Sequence, residues 1–213
     1  PRVAAPCGIC RRVFSTANLE SPIERQLYWV SLDSPAAPRR VTTGDGWHGI
    51  GMAMDASVFV DSHSSVDAPK SVWLRKASGA PLTALLANKL DAAHPYAPYR
   101  DEHVRAEFGS IAAKDGQRLH YKLLKPRNLE RGQRYPVLID VYGGPGVQRV
   151  ANTWGSLFHQ YLAQNGYVVF AIDNRGSGMR GTRFETSLGL RMGHVEVEVQ
   201  LEGVEFLRGV EYV

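Results

Sequence analysis

The stretch Tyr135-Pro136-Val137-Leu138-Ile139-Asp140-Val141-Tyr142-Gly143-Gly144-Pro145-Gly146 and its echo, Gly166-Tyr167-Val168-Val169-Phe170-Ala171-Ile172-Asp173-Asn174-Arg175-Gly176, decide the fold class of this chain. Each opens on a β-branched, mostly apolar run and ends in glycines. Val137 to Tyr142 and Tyr167 to Ile172 therefore read as strands buried on both faces. Between them Trp154, Leu157, Phe158, Tyr161 and Leu162 fall at i, i+3, i+4, i+7 and i+8, one face of a helix. Asn152 or Thr153 can cap its start and Gly166 suits its end. Strand, helix, strand with a short return predicts a βαβ unit and a parallel pair.

Upstream, Glu107–Ala113 and Leu119–Leu124 read as two strands joined at Lys114-Asp115-Gly116. Downstream, Val195, Val197, Val199 and Leu201 alternate as in a strand, while Val197, Leu201, Val204 and Leu207 share one helical face. Periodicity alone does not separate the two, and the need for a crossover before another parallel strand favours the helix. Glu196, Glu198, Glu202 and Glu205 are expected on its solvated face.

The first half has another texture. Gln26–Leu32, Val58–Val60 and Ser71–Arg75 are short strands, with turn signals at Asp33-Ser34-Pro35, Gly44-Asp45-Gly46 and Ser78-Gly79. That spacing predicts antiparallel meanders, as in a sandwich or in propeller blades. Asn88 to Val104, with Pro95 and Pro98, reads as a connector.

Composition describes an ordinary globular chain: 213 residues, 44 % hydrophobic, formal charge +4. Arginines are scattered without a basic stripe, so no nucleic-acid partner is expected. No apolar run approaches the ~18 residues of a membrane span, and no signal-peptide pattern is visible. Cys7 and Cys10 have C-x-x-C spacing, but without a second pair they read as incidental thiols in a frayed start. The seven histidines show no metal-ligand spacing, and His159 is expected in solvent, off the apolar stripe. Gly176, Gly178 and Gly181 spell G-x-G-x-x-G, yet glycines at 189 and 193 interrupt the helix a dinucleotide site needs. No cofactor or metal is therefore expected. No G-x-S-x-G elbow occurs, and Ser177 reads as a turn residue. The loop Tyr142–Gly146 lies where α/β sheets bind ligands, at the carboxyl end of a strand. It reads equally as a tight turn with a packing tyrosine.

Taken together, these motifs resemble the dipeptidyl-peptidase-IV branch of the prolyl oligopeptidase family of serine peptidases. The resemblance rests on Tyr135–Leu138, Tyr142–Gly146, Trp154-Gly155, Tyr161–Ala163, Gly166–Val169, Asp173–Gly178 and Val195–Glu198. In the first half, Leu19–Arg25 and Gly44–His48 are similar to the final propeller blades of such proteins. It implies the end of a β-propeller (residues 1–87), a connector (88–104) and the N-terminal half of an α/β-hydrolase domain (105–213). It also implies release of N-terminal dipeptides, with Pro or Ala preferred in second position, and Tyr142 as a hydroxyl donor to the oxyanion. Peptide is the implied substrate, homodimers are common among members, and a periplasmic or secreted location is favoured. An acylaminoacyl peptidase or esterase of the same fold, or a non-catalytic binding homologue, are the alternatives. The family's serine elbow lies after the helix ending near Arg208, and its aspartate and histidine later still. The chain alone is thus expected to be inactive and, with an open parallel edge, to aggregate. One departure stands out: the family usually has Asp where this chain has Val199.

Overall fold

The structure, a computed structural model, describes the backbone of residues 2–7 and all of residues 11–213. It divides into two compact units: one holds the residues through Ala97 together with Asn152–Trp154, the other Pro98–Ala151 and Gly155–Val213.

Eight strands build the first unit: β1 (Arg2–Cys7), β2 (Arg12–Ala17), β3 (Gln26–Ser31), β4 (Arg39–Arg40), β5 (Trp47–Met52), β6 (Val58–Ser65), β7 (Ala68–Lys76) and β8 (Pro81–Leu86). They form two antiparallel four-stranded meanders in sequential order. Phe14, Leu27, Val41, Ala56 and Phe59 are buried together, with Trp29, Ile50 and Met52 against them. Alternation makes this possible, since every second side chain of a strand faces the same way. The reading of a frayed start is corrected: β1 pairs with β2 from Arg2 to Cys7. Cys7 ends that strand, and Cys10 lies outside the described residues, as does any pairing of the two.

A buried polar chain crosses the second meander. His48 Nδ1 lies 2.8 Å from Asp61 Oδ1, and Arg75 Nε donates to Asp61 Oδ2 at 2.9 Å. His63 stacks on His48, ring centroids 4.3 Å apart. Burial alone would raise the Asp61 carboxyl, but His48 and Arg75 outweigh it and hold it below the ordinary value.

The second unit holds β9 (Glu107–Ala112), β10 (Arg118–Leu124), β11 (Val137–Ile139), α1 (Leu157–Gln164), β12 (Val168–Ile172), α2 (Thr182–Glu185) and α3 (Val195–Arg208). Its sheet runs β11-β12-β10-β9, with β11 and β12 parallel and the other pairs antiparallel. Every residue of β12 is buried, and Phe170 and Ile172 pack with Leu119, Leu123, Val199 and Leu207.

Expectations for three elements need correction. β11 is three residues long and half-buried, because it is the sheet's edge. One further ladder bond, from the Asp140 amide to Phe170 O at 2.7 Å, extends its alignment. The apolar stripe of α1 faces outward: Leu157, Phe158 and Tyr161 are exposed, and Gln160 and Ala163 are buried. Gln160 can be buried because its amide donates to Val104 O and accepts from Val104 N, each at 2.8 Å. The helix is capped by Ser156, whose Oγ accepts from the Phe158 amide. Asn152 instead donates to Glu24 and accepts from the Val66 amide inside the first unit. In α3 the buried residues are Val195, Glu196, Val199, Gly203 and Leu207, while Val197 and Leu201 are exposed. Glu196, expected in solvent, turns back to accept from the Gly193 amide at 2.9 Å, satisfying an orphan donor near the helix start.

Candidate active site

The parallel pair delivers two glycine-rich loops to the same sheet edge. The first begins at Asp140, where β11 pairing stops, and runs through Tyr142 to Val150. Glycines dictate its path. Gly143 and Gly146 take φ of 70° and 74°, where other residues are strained. Gly144 matters through space: a Cβ built there would lie 2.9 Å from the Tyr142 ring. That ring is half-exposed at the strand's carboxyl end.

The second loop, Asp173–Gly178, lies beside the first. Gly146 donates its amide to Gly176 O at 2.8 Å. Gly178 lets the two backbones approach, since a Cβ there would meet Gly146 O at 2.9 Å. The Asp173 carboxylate, 1 % exposed, accepts from the amides of Arg149 at 2.7 Å and Val150 at 3.0 Å. Burial pushes its pKa up to about 6, against the opposing pull of those amides and of Arg180 and Lys122. Burial likewise lowers Lys122 and Arg180.

The Arg149 side chain returns across the first loop to bond both oxygens of Asp140. His159 approaches the same carboxylate, Nε2 to Oδ2 at 3.7 Å. Its side chain is 11 % exposed, which corrects the expectation of a solvated histidine, and burial depresses its pKa. Arg175 pairs with Asp115 at 2.9 Å and holds that carboxyl well below the usual range. In the G-x-G-x-x-G stretch, the Gly176 amide is taken by Phe184 O at 2.9 Å, and α2 spans only four residues. Among the described residues no group of three or more His, Cys, Asp or Glu side chains could hold a metal, and no helix is long and apolar enough to cross a membrane.

What the arrangement offers is a phenolic hydroxyl on a loop fixed at both ends, a form of electrostatic preorganisation. Sequence reasoning singled out Tyr142 and missed Asp173, Arg149 and Asp140. Asp140 and Asp173 were visible as an acidic residue closing each strand run, and Asp173 as the first residue of the Asp173–Gly178 motif; Arg149 carried no signal.

The Prolyl oligopeptidase family profile matches residues 155–213, and that of the Dipeptidyl peptidase IV (DPP IV) N-terminal region matches residues 9–70. The chain is 33 % identical over 206 residues to human "Dipeptidyl peptidase 8", covering 92 % of this chain and 22 % of that protein. It is 28 % identical to "Probable dipeptidyl-aminopeptidase B" of Botryotinia fuckeliana, covering 94 % and 22 %. The crystal structure of Porphyromonas gingivalis dipeptidyl peptidase 4 superposes with a TM-score of 0.82 at 25 % identity, over 95 % of this chain and 28 % of that one. The two meanders are accordingly the end of a propeller, and the second unit is the start of an α/β-hydrolase domain. The chain spans about a fifth of the length of the curated relatives it matches.

Proposed function

We propose that this chain, which belongs to the dipeptidyl-peptidase-IV-like branch of the prolyl oligopeptidase family, contributes the oxyanion-stabilising tyrosine of a serine dipeptidyl peptidase. The carrying observation is the seat of Tyr142, half-exposed at the carboxyl end of β11 on a loop bonded at its start through the Asp140 amide and at its end through those of Arg149 and Val150. In that enzyme a serine attacks the carbonyl after the second residue of a peptide. Negative charge grows on the carbonyl oxygen, and the Tyr142 hydroxyl donates to it. The tetrahedral intermediate collapses, the peptide bond breaks and the shortened peptide departs as a free amine. Water then cleaves the acyl-enzyme ester, and a dipeptide with Pro or Ala second leaves. Residues 1–87 supply propeller blades, 88–104 the connector and 105–213 the hydrolase portion. Serine, aspartate and histidine of the triad come from other parts of the enzyme, so the 213-residue chain by itself turns over nothing.

Removing one oxyanion donor costs ~10²–10³ in kcat. Tyr142→Phe in the full-length enzyme should show that loss on a Gly-Pro chromogenic substrate, with KM little changed. An unaltered kcat refutes the assignment, and turnover by the purified 213-residue chain refutes the division of labour.

A further inference from the structure

The Tyr142 loop is held by hydrogen bonds at its start, middle and end. Asp140 fixes its start, because the Asp140 amide bonds to Phe170 O on the buried strand β12. Asp173 fixes its end, because one carboxylate oxygen accepts from two consecutive amides, Arg149 and Val150. Arg149 then joins end to start through its bond to Asp140. At mid-loop, Gly146 is bonded to Gly176 of the loop that Asp173 begins. Resting on the Tyr142 reading above, we propose that Asp173 and the Asp140–Arg149 pair form a two-point clasp that positions the Tyr142 hydroxyl for the oxyanion.

The chemistry favours such a clasp over simple packing. A buried carboxylate is costly, and its cost is tolerated where hydrogen bonds require it. Other charges approach from every side: Lys122 on β10, Arg180 beyond the second loop, and Arg149 with Asp140 on the first. The second Asp173 oxygen has no hydrogen-bond partner, so the two loop amides are what this side chain holds. Misplacing a reacting group by 1 Å can cost ~10²-fold in rate. A half-exposed tyrosine depends on the loop that carries it for its position.

The test compares Tyr142→Phe, Asp173→Ala, Asp173→Asn and Arg149→Gln in the full-length enzyme. Two readouts are used: kcat and KM on a Gly-Pro substrate, and hydrogen exchange of the Arg149 and Val150 amides. Asp173→Ala should lower kcat at least about tenfold with KM nearly constant, and should release both amides. Asp173→Asn keeps one acceptor oxygen and should recover part of both. Arg149→Gln, at a more exposed side chain, should also lower kcat. Combined with Tyr142→Phe, either change should add little, because both act through the same hydroxyl. An unaltered kcat in Tyr142→Phe overturns the tyrosine reading and the clasp with it. A lowered kcat there, with normal kcat in Asp173→Ala and Arg149→Gln, overturns the clasp alone. If Asp173→Ala does not fold, Arg149→Gln decides.

Discussion

Replacing Asp173 by Asn isolates the price of one buried charge. In the folded protein the carboxyl titrates at about 6, against an ordinary 3.8. A rise from 3.8 to about 6 corresponds to ~3 kcal/mol. The sign follows from the direction. The folded state binds this proton more tightly than the unfolded one. Stability from Asp173 is therefore fully present below pH ~3.8 and lost as pH rises through about 6. Asn carries no charge, so the Asp173→Asn protein lacks that slope. It does leave a buried NH2 where the second oxygen has no partner, a roughly constant penalty of ~1–3 kcal/mol. The expected result is a difference in stability, variant minus parent, that climbs by ~2–3 kcal/mol between pH 4 and pH 7.5. Near neutrality the variant should equal or exceed the parent. Tryptophan fluorescence is the wrong probe, since Trp29, Trp47, Trp73 and Trp154 all belong to the first unit. Hydrogen exchange of the β12 amides reports the unit that contains Asp173. A difference that stays flat with pH would refute the buried-charge reasoning. A falling one would show that Arg180 and Lys122 stabilise the carboxylate more than burial opposes it.

Gly144→Ala sets a methyl 2.9 Å from the Tyr142 ring; the half-exposed ring can swing away, so melting temperature should barely move while kcat falls ~10–100-fold. An unchanged kcat with an unchanged melting temperature would count against the tyrosine's role. In the propeller portion, Asp61→Ala strands Arg75 and His48 without their carboxylate and should cost ~3–5 kcal/mol, read by tryptophan-monitored urea unfolding. The Asp61 pKa is held low, so its contribution is present above the ordinary carboxyl pKa and lost as pH falls through the lower folded value. The Asp61→Ala penalty should accordingly shrink in strong acid, and a penalty independent of pH would be inconsistent with the ion pair.

Strands whose inner face is apolar were legible in the sequence: Gln26–Ser31, Glu107–Ala112, Arg118–Leu124 and Val168–Ile172. β8 was not, because Pro81–Leu86 is exposed at every position and has no inner face to declare. The helices show a different limit. Periodicity located α1 and α3, yet misassigned the side each turns inward. In α1 the inward residues are a small one, Ala163, and a polar one, Gln160, whose amide closes on Val104. Nothing local marks a glutamine whose partner lies 56 residues away.

Val199 carries that argument into the site's foundation. Its departure from the family's usual Asp was visible in the sequence, but its meaning lies in what surrounds it. The side chain is fully buried among Leu119, Phe170, Ile172, Phe184 and Leu207, a setting in which an unpaired carboxylate would be severely penalised. Valine is thus the residue this core accepts, and it helps press α3 onto β12. β12 in turn bonds Asp140 through Phe170 O and leads directly into Asp173. The apolar contact on one side of the strand and the polar clasp at its end act on the same rigid element. In the clasp proposed above, that coupling is what holds a half-exposed tyrosine on a glycine loop in register with a triad supplied from elsewhere in the enzyme.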